Sequence, residues 1–214
     1  MKKDPFEYIA AHASIDIADI WKTLQEKPEF KKPEKRTEKW DRLEKLWDEF
    51  VKLAEKHDLE GMIHCLNSIL AIDPKNLRAL VGKGVTLFLL GRHEESLIFL
   101  DEALKVDPKY LHALFSKGLT LSNLYRNEEA LVCYDEVLKA DPNYPDALYG
   151  KGLMLKNLHR TEESLMCFDE ILKADPKNFV ALYNKGVVLG LLSRTEEALM
   201  CFDEVLKADP KNLD

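Results

Sequence analysis

The sequence predicts an all-α fold, a linear array of helix hairpins preceded by an N-terminal helical cap, and three observations carry this. The dipeptide Asp-Pro recurs at Asp73, Asp107, Asp141, Asp175 and Asp209, each 34 residues after the last. The text between copies repeats too: RTEESLMCFDEILKADPKN, from Arg160 to Asn178, returns as RTEEALMCFDEVLKADPKN, from Arg194 to Asn212. Only Ser164/Ala198 and Ile171/Val205 differ. Within each unit, apolar residues fall twice into a helical period.

The unit beginning at Leu77 shows the elements in order. Leu80, Gly84, Leu87 and Phe88 mark one helical face, and Leu97, Leu100, Ala103 and Leu104 mark a second. Gly91 and Arg92 lie between them, where glycine suits the left-handed residue that ends many helices. Pro108 has no N–H and clashes with a preceding turn, so it stops the second helix. Two such helices bury too little apolar surface to stand alone, whereas stacked copies share one core. Regular units are read at 77–110, 111–144, 145–178 and 179–212. Residues 43–76 keep Leu46, Leu53, Met62, Leu66, Leu70 and Pro74 in register, but Phe50 replaces the glycine, which marks a degenerate first repeat with altered hairpin packing. Residues 1–42 read as the helical cap, with starts at Asp4-Pro5 and Asp16 and a charged linker between Pro28 and Pro33. Trp21, Trp40 and Trp47 all fall in this irregular part, as cap packing or as a partner-binding anchor.

The repeating residues resemble the tetratricopeptide repeat family, whose motif has a large residue, a Leu-Gly pair, an aromatic, then Ala, an aromatic and a closing Pro. The second regular unit offers Leu114, Lys117, Gly118, Leu121, Ala130, Tyr134 and Pro142 at those places. The third offers Leu148, Lys151, Gly152, Leu155, Ser164, Phe168 and Pro176, and the fourth Leu182, Lys185, Gly186, Leu189, Ala198, Phe202 and Pro210. Leu stands for the usual aromatics of the first helix, and Lys for the Leu before Gly. The resemblance implies a right-handed superhelical array, an α-solenoid. In the family's hairpin, Gly84, Gly118, Gly152 and Gly186 would face Ser96, Ala130, Ser164 and Ala198.

Composition narrows the functions. Hydrophobic residues at 46% and charged residues at 32% suit a folded helical protein. A formal net charge of −7 disfavours DNA, RNA and anionic membranes, whose affinity rests on Lys and Arg meeting phosphate. The start is interrupted by Asp4, Glu7 and His12 and does not read as a signal peptide, and no apolar run is long enough to span a bilayer. The expected compartment is the cytoplasm.

In tetratricopeptide arrays the first helices line a concave groove. The resemblance places the equivalent strip here at Val81, Val85 and Phe88; Phe115, Leu119 and Ser122; Tyr149, Leu153 and Lys156; and Tyr183, Val187 and Gly190, each at i, i+4, i+7 spacing. A contiguous exposed apolar strip marks a partner site. Two alternatives stay open: a tightly wound array burying the strip, or the N-terminal segment filling it. The family's carboxylate clamp of Lys, Arg and Asn is missing from the positions where its groups would project, which offer only Asn184 and Arg78 as polar candidates. The expected ligand is therefore an extended or helical segment with apolar anchors, with Asn123 and Asn157 available to bond its backbone and Tyr149 and Tyr183 as rigid anchors.

Other signals read as structure. Cys65, Cys133, Cys167 and Cys201 follow the repeat and read as buried reduced thiols, too far apart between stacked helices for disulfides. Lys83, Lys117, Lys151 and Lys185 form a ladder matched by one of Asp101, Asp135, Asp169 and Asp203, which reads as pairing between helices. The six histidines occupy unrelated repeat positions, and no phosphate loop, nucleophile elbow or Cys-x-x-Cys is found. No catalytic residue, metal or cofactor is therefore expected. The leading expectation is a scaffold or adaptor for a protein or peptide partner. The alternative is end-to-end self-association through the last repeat, whose Leu199, Phe202, Val205 and Leu206 have no polar helix following in the sequence.

Overall fold

Asp107-Pro108, Asp141-Pro142 and Asp175-Pro176 each end a helix by two cooperating effects in the computed structural model, which describes residues 37–208. Ten helices and no strand occur among the described residues. They are α1 Glu38–Glu55, α2 Leu59–Ile72, α3 Leu77–Leu89, α4 His93–Val106, α5 Leu111–Asn123, α6 Asn127–Ala140, α7 Pro145–Asn157, α8 Thr161–Ala174, α9 Phe179–Leu191 and α10 Thr195–Ala208. Asp107, Asp141 and Asp175 directly follow α4, α6 and α8 in extended backbone, as a following proline demands. Their carboxylates accept from the N–H groups of Lys109, Asn143 and Lys177 at 3.0, 3.1 and 3.1 Å, closing a turn that the proline cannot close itself.

The next helix then starts with its own signal. Asn76 and Asn178 accept from the N–H groups of Ala79 and Ala181 at 3.0 and 2.9 Å, while α7 has Pro145 in its first turn. Between the helices of each hairpin one residue is left-handed: His57, Gly91, Tyr125, His159 and Ser193, at φ of 54°, 74°, 57°, 59° and 59°. Only one of the five is glycine. The backbone imposes this conformation, because the N–H after each bends back to a carbonyl of the first helix, as Arg160 does to Leu155 and Arg194 to Leu189, both at 2.9 Å.

Inside the hairpins the glycines make room for more than the small residues opposite. A Cβ on Gly84, Gly152 or Gly186 would come within 2.7, 2.9 and 2.7 Å of Leu100, Phe168 and Phe202. The large residue one turn beyond the small one takes the space. The small partner is close too, since the Ser164 hydroxyl donates to the Gly152 carbonyl at 2.7 Å. In the first hairpin, where Phe50 replaces glycine, Trp47 and Phe50 are both fully buried and meet edge to face at 5.4 Å. The Arg78 guanidinium lies 5.2 Å from the Trp47 ring centre. Trp47 is thus packing, while Trp21 and the rest of 1–36 lie outside the described residues. The helix of this hairpin begins at Glu38, capped by Thr37, ahead of the Leu43 boundary.

The chain forms two compact units, one ending at Thr120 and the other beginning at Leu121. Within the first, α2 packs on α1 and α3, and α4 on α3. Within the second, α6 to α10 pack each on the next. The charge ladders meet as the sequence indicates: Lys117 pairs with Asp101, Lys151 with Asp135 and Lys185 with Asp169, at 2.6, 2.7 and 2.7 Å. These pairs are partly exposed and contribute register more than stability.

Candidate functional site

The strip anticipated along the first helices is not one continuous open surface. In the first unit Val81, Val85, Phe88, Phe115 and Leu119 are all buried, Val81 at 2% exposed and Phe115 at 1%. The expectation of an exposed groove is corrected at these five positions, which are core. For Val81, Val85 and Phe88 the reason is in their helix: α3 reads LRALVGKGVTLFL, apolar on nearly every side, and ten of its thirteen residues are buried. A helix apolar all round is taken inside. Asn123, at the end of α5, is exposed.

In the second unit the equivalent positions stay open to solvent. Tyr149 and Leu153 on α7 and Val187 on α9 are partly buried, Asn157 is exposed, and Tyr183 is 55% exposed. Val180 and Leu191 add exposed apolar surface on the same helix as Tyr183. Each tyrosine ring is braced from beneath, Tyr149 by Phe168 at 6.0 Å and Tyr183 by Phe202 at 5.9 Å between ring centres. Bracing limits the rotamer freedom lost on binding, which is what makes tyrosine an effective anchor.

Asn184 has a different role from the one its sequence position indicates. It is buried, and its side-chain NH2 donates to the Tyr149 hydroxyl at 3.2 Å and to the Val180 carbonyl at 2.9 Å. It tethers α9 to α7 and fixes Tyr149, and is not presented to a ligand. Lys156, one turn beyond Leu153, is partly buried, which lowers its ammonium below the usual range. The candidate site is therefore the row Tyr149, Leu153, Asn157, Tyr183 and Val187, with Asn184 as its tether.

The four cysteines are buried and unbridged. Burial raises the Cys65 and Cys167 thiols to about 11, and the Cys65 thiol donates to the Leu46 carbonyl at 2.9 Å. Burial also holds His93 and His112 below their ordinary values. Among the described residues no cluster of His, Cys, Asp and Glu could hold a metal, and no helix is long and apolar enough to cross a membrane.

Two tetratricopeptide repeat family profiles match, one at residues 77–110 and 111–144, the other at 133–166 and 167–200. Together they span residues 77–200, more than half of the chain. The fold is similar to that of MamA 41-end from Desulfovibrio magneticus RS-1, at TM-score 0.77 and 18% identity over 81% of this chain and 98% of that one. It is also similar to a tetratricopeptide repeat protein from Parabacteroides merdae ATCC 43184, at TM-score 0.75 and 23% identity over 80% of this chain and 68% of that one. A third similar structure is YrrB, described as a tetratricopeptide protein with an unusual peptide-binding site, at TM-score 0.68 and 22% identity over 77% and 84% of the two chains. No curated protein matches. At these identities the likeness concerns the fold. The profile matches, the hairpin glycines and the 34-residue geometry agree: the chain belongs to the tetratricopeptide repeat family.

Proposed function

We propose that this chain is a non-catalytic scaffold that holds an apolar segment of a protein partner on the face built by α7 and α9. Members of its family are generally interaction scaffolds, and YrrB, of the same fold, is described as having a peptide-binding site. The observation that carries the reading is the pair of tyrosines. Tyr149 and Tyr183 occupy equivalent positions on adjacent first helices, remain accessible, and are each braced by a phenylalanine of the same hairpin. Leu153 and Val187, one turn on, continue both rows.

A segment lying here would seat apolar side chains between the rings, with the exposed Asn157 amide free to bond its backbone. The net charge of −7 makes an uncharged or basic segment the better match and phosphate-rich ligands the poorer one. The test is selection of peptides from a displayed random library on the full chain, followed by titration of the winners against the Tyr149→Ala/Tyr183→Ala variant. The reading expects apolar, aromatic-bearing peptides whose binding the double variant loses while its helicity by circular dichroism is unchanged. Winners that bind the double variant equally well would refute it.

A further inference from the structure

The row that Tyr149 and Leu153 begin on α7 closes on a cation. Lys156 lies one turn beyond Leu153 and is partly buried, so its ammonium has lost part of its hydration and is held below the usual lysine range. Other lysines of the second unit offset such a loss by pairing: Lys151 reaches Asp135, Lys185 reaches Asp169 and Lys173 reaches Glu170. Among the described residues no carboxylate pairs with Lys156. It also stands outside the lysine ladder, since the same repeat position holds Ser122 one unit earlier and Gly190 one unit later. On α9, which the Asn184–Tyr149 bond holds beside α7, a Cβ at Gly190 would meet no atom within 4 Å. The row therefore ends in an unpaired ammonium on one helix and open space on the next.

We infer that Lys156 is a subsite for an acidic side chain, Asp or Glu, carried within the segment that lies on the α7–α9 face. This rests on the reading of that face as a binding site and adds the charge its ligand must carry. A carboxylate entering beside Lys156 supplies the contact that water no longer fully provides, whereas a cation or an apolar group there would raise the cost of keeping the ammonium charged. The net charge of −7 opposes a strongly acidic segment, so the ligand is one acid among apolar residues.

The site also sets a register and a donor count. Tyr149 and Lys156 are seven residues apart on one helix, about 10 Å along its axis. The acid should therefore fall about three residues from the anchor seated at Tyr149 in an extended segment, or about seven in a helical one. Lys156 is a single point charge, and the row of Tyr149, Leu153, Tyr183, Val187 and Gly190 holds no second basic group. One side-chain carboxylate matches this better than a chain terminus, which several donors would have to hold.

The probes are peptides selected on the full chain from a displayed random library, synthesised with amidated C-termini and titrated by calorimetry. They should carry an Asp or Glu at the stated spacing. Lys156→Met, which keeps an apolar stem and removes the charge, should weaken them about tenfold with unchanged circular dichroism. Replacing the acid by its amide should weaken binding equally on the native chain and no further on Lys156→Met. Peptides that need Tyr149 and Tyr183 but ignore Lys156 would overturn this inference and leave the reading of the face standing. Peptides indifferent to all three residues would overturn both. Binding that requires a free C-terminal carboxylate would assign Lys156 to a chain terminus and overturn the side-chain inference. Residues 1–36 carry acids of their own, and the free chain tests them. The Lys156 Cε resonance, assigned by its loss in Lys156→Met, should titrate below the ordinary lysine range before any peptide is added. Titration at or above that range would mean that a carboxylate of residues 1–36 already occupies the site, and would overturn the inference.

Discussion

Replacing glycine by alanine should have opposite effects at two first-helix sites of the second unit. At Gly152 a new Cβ would lie 2.9 Å from Cζ of Phe168 and 3.3 Å from Cβ of Cys167. The first distance is below any ordinary contact, and Phe168 cannot swing clear, being fully buried with Tyr149 against its ring. Overpacking of this kind costs about 1–3 kcal/mol, while the gain in helix propensity from Gly to Ala returns about 1 kcal/mol. The net expectation is a loss of about 1 kcal/mol. At Gly190 nothing lies within 4 Å of the new Cβ, so only the propensity term acts. Gly190→Ala should gain about 0.5–1 kcal/mol. The two variants should therefore differ by about 2 kcal/mol, read as opposite shifts of the urea midpoint followed by far-ultraviolet circular dichroism. Comparing midpoints is suitable because repeat arrays unfold with limited cooperativity. If Gly152→Ala were as stable as Gly190→Ala, the close approach of helix and ring at the hairpin would be refuted.

Three further outcomes follow from the same geometry. His159→Gly and Ser193→Gly should each stabilise by about 1 kcal/mol, because both residues are left-handed at φ 59°, where a Cβ is costly; unchanged thermal midpoints would count against strain at these turns. Asn178→Ala removes the cap on Ala181 N–H and should lower stability by about 1 kcal/mol in chemical denaturation, whereas Asn178→Asp should retain most of it. The Cys65 and Cys167 thiols, raised by burial to about 11 from an ordinary value near 9, bind protons more tightly folded than unfolded. Their contribution is complete below pH 9 and is lost as pH rises toward 11. Stability should accordingly fall over that window, and a Cys65→Ala/Cys167→Ala variant should show a shallower fall.

The sequence was most legible where one physical cause repeats. Asp-Pro marks the helix ends because the proline and the aspartate act on the same turn, and the Lys and Asp ladders read as pairs because both keep one period. Legibility ended where a residue's environment depends on depth rather than direction. The family resemblance puts Val81 and Phe115 on the groove face but does not say whether that face is open, and for Val81 an α3 apolar on nearly every side was the available sign that it is not. Asn184 illustrates a second limit. Its amide reads as a ligand-binding group until the Tyr149 hydroxyl is found 3.2 Å away, a contact 35 residues distant in sequence. The left-handed residues at Tyr125, His159 and Ser193 were illegible for a third reason, since the hairpin backbone imposes the conformation on whatever residue stands there. Only Gly91 announces it.

We propose that the α7–α9 face holds a partner segment through Tyr149 and Tyr183. The most direct measurement is calorimetric titration of a library-selected peptide into the full chain, the Tyr149→Ala/Tyr183→Ala variant and the Asn184→Ala variant. Losing two aromatic anchors should weaken binding by roughly 2–4 kcal/mol, and losing the tether that positions Tyr149 should weaken it by a smaller, separate amount. Equal affinity for all three proteins, with their helicity intact, would contradict the account.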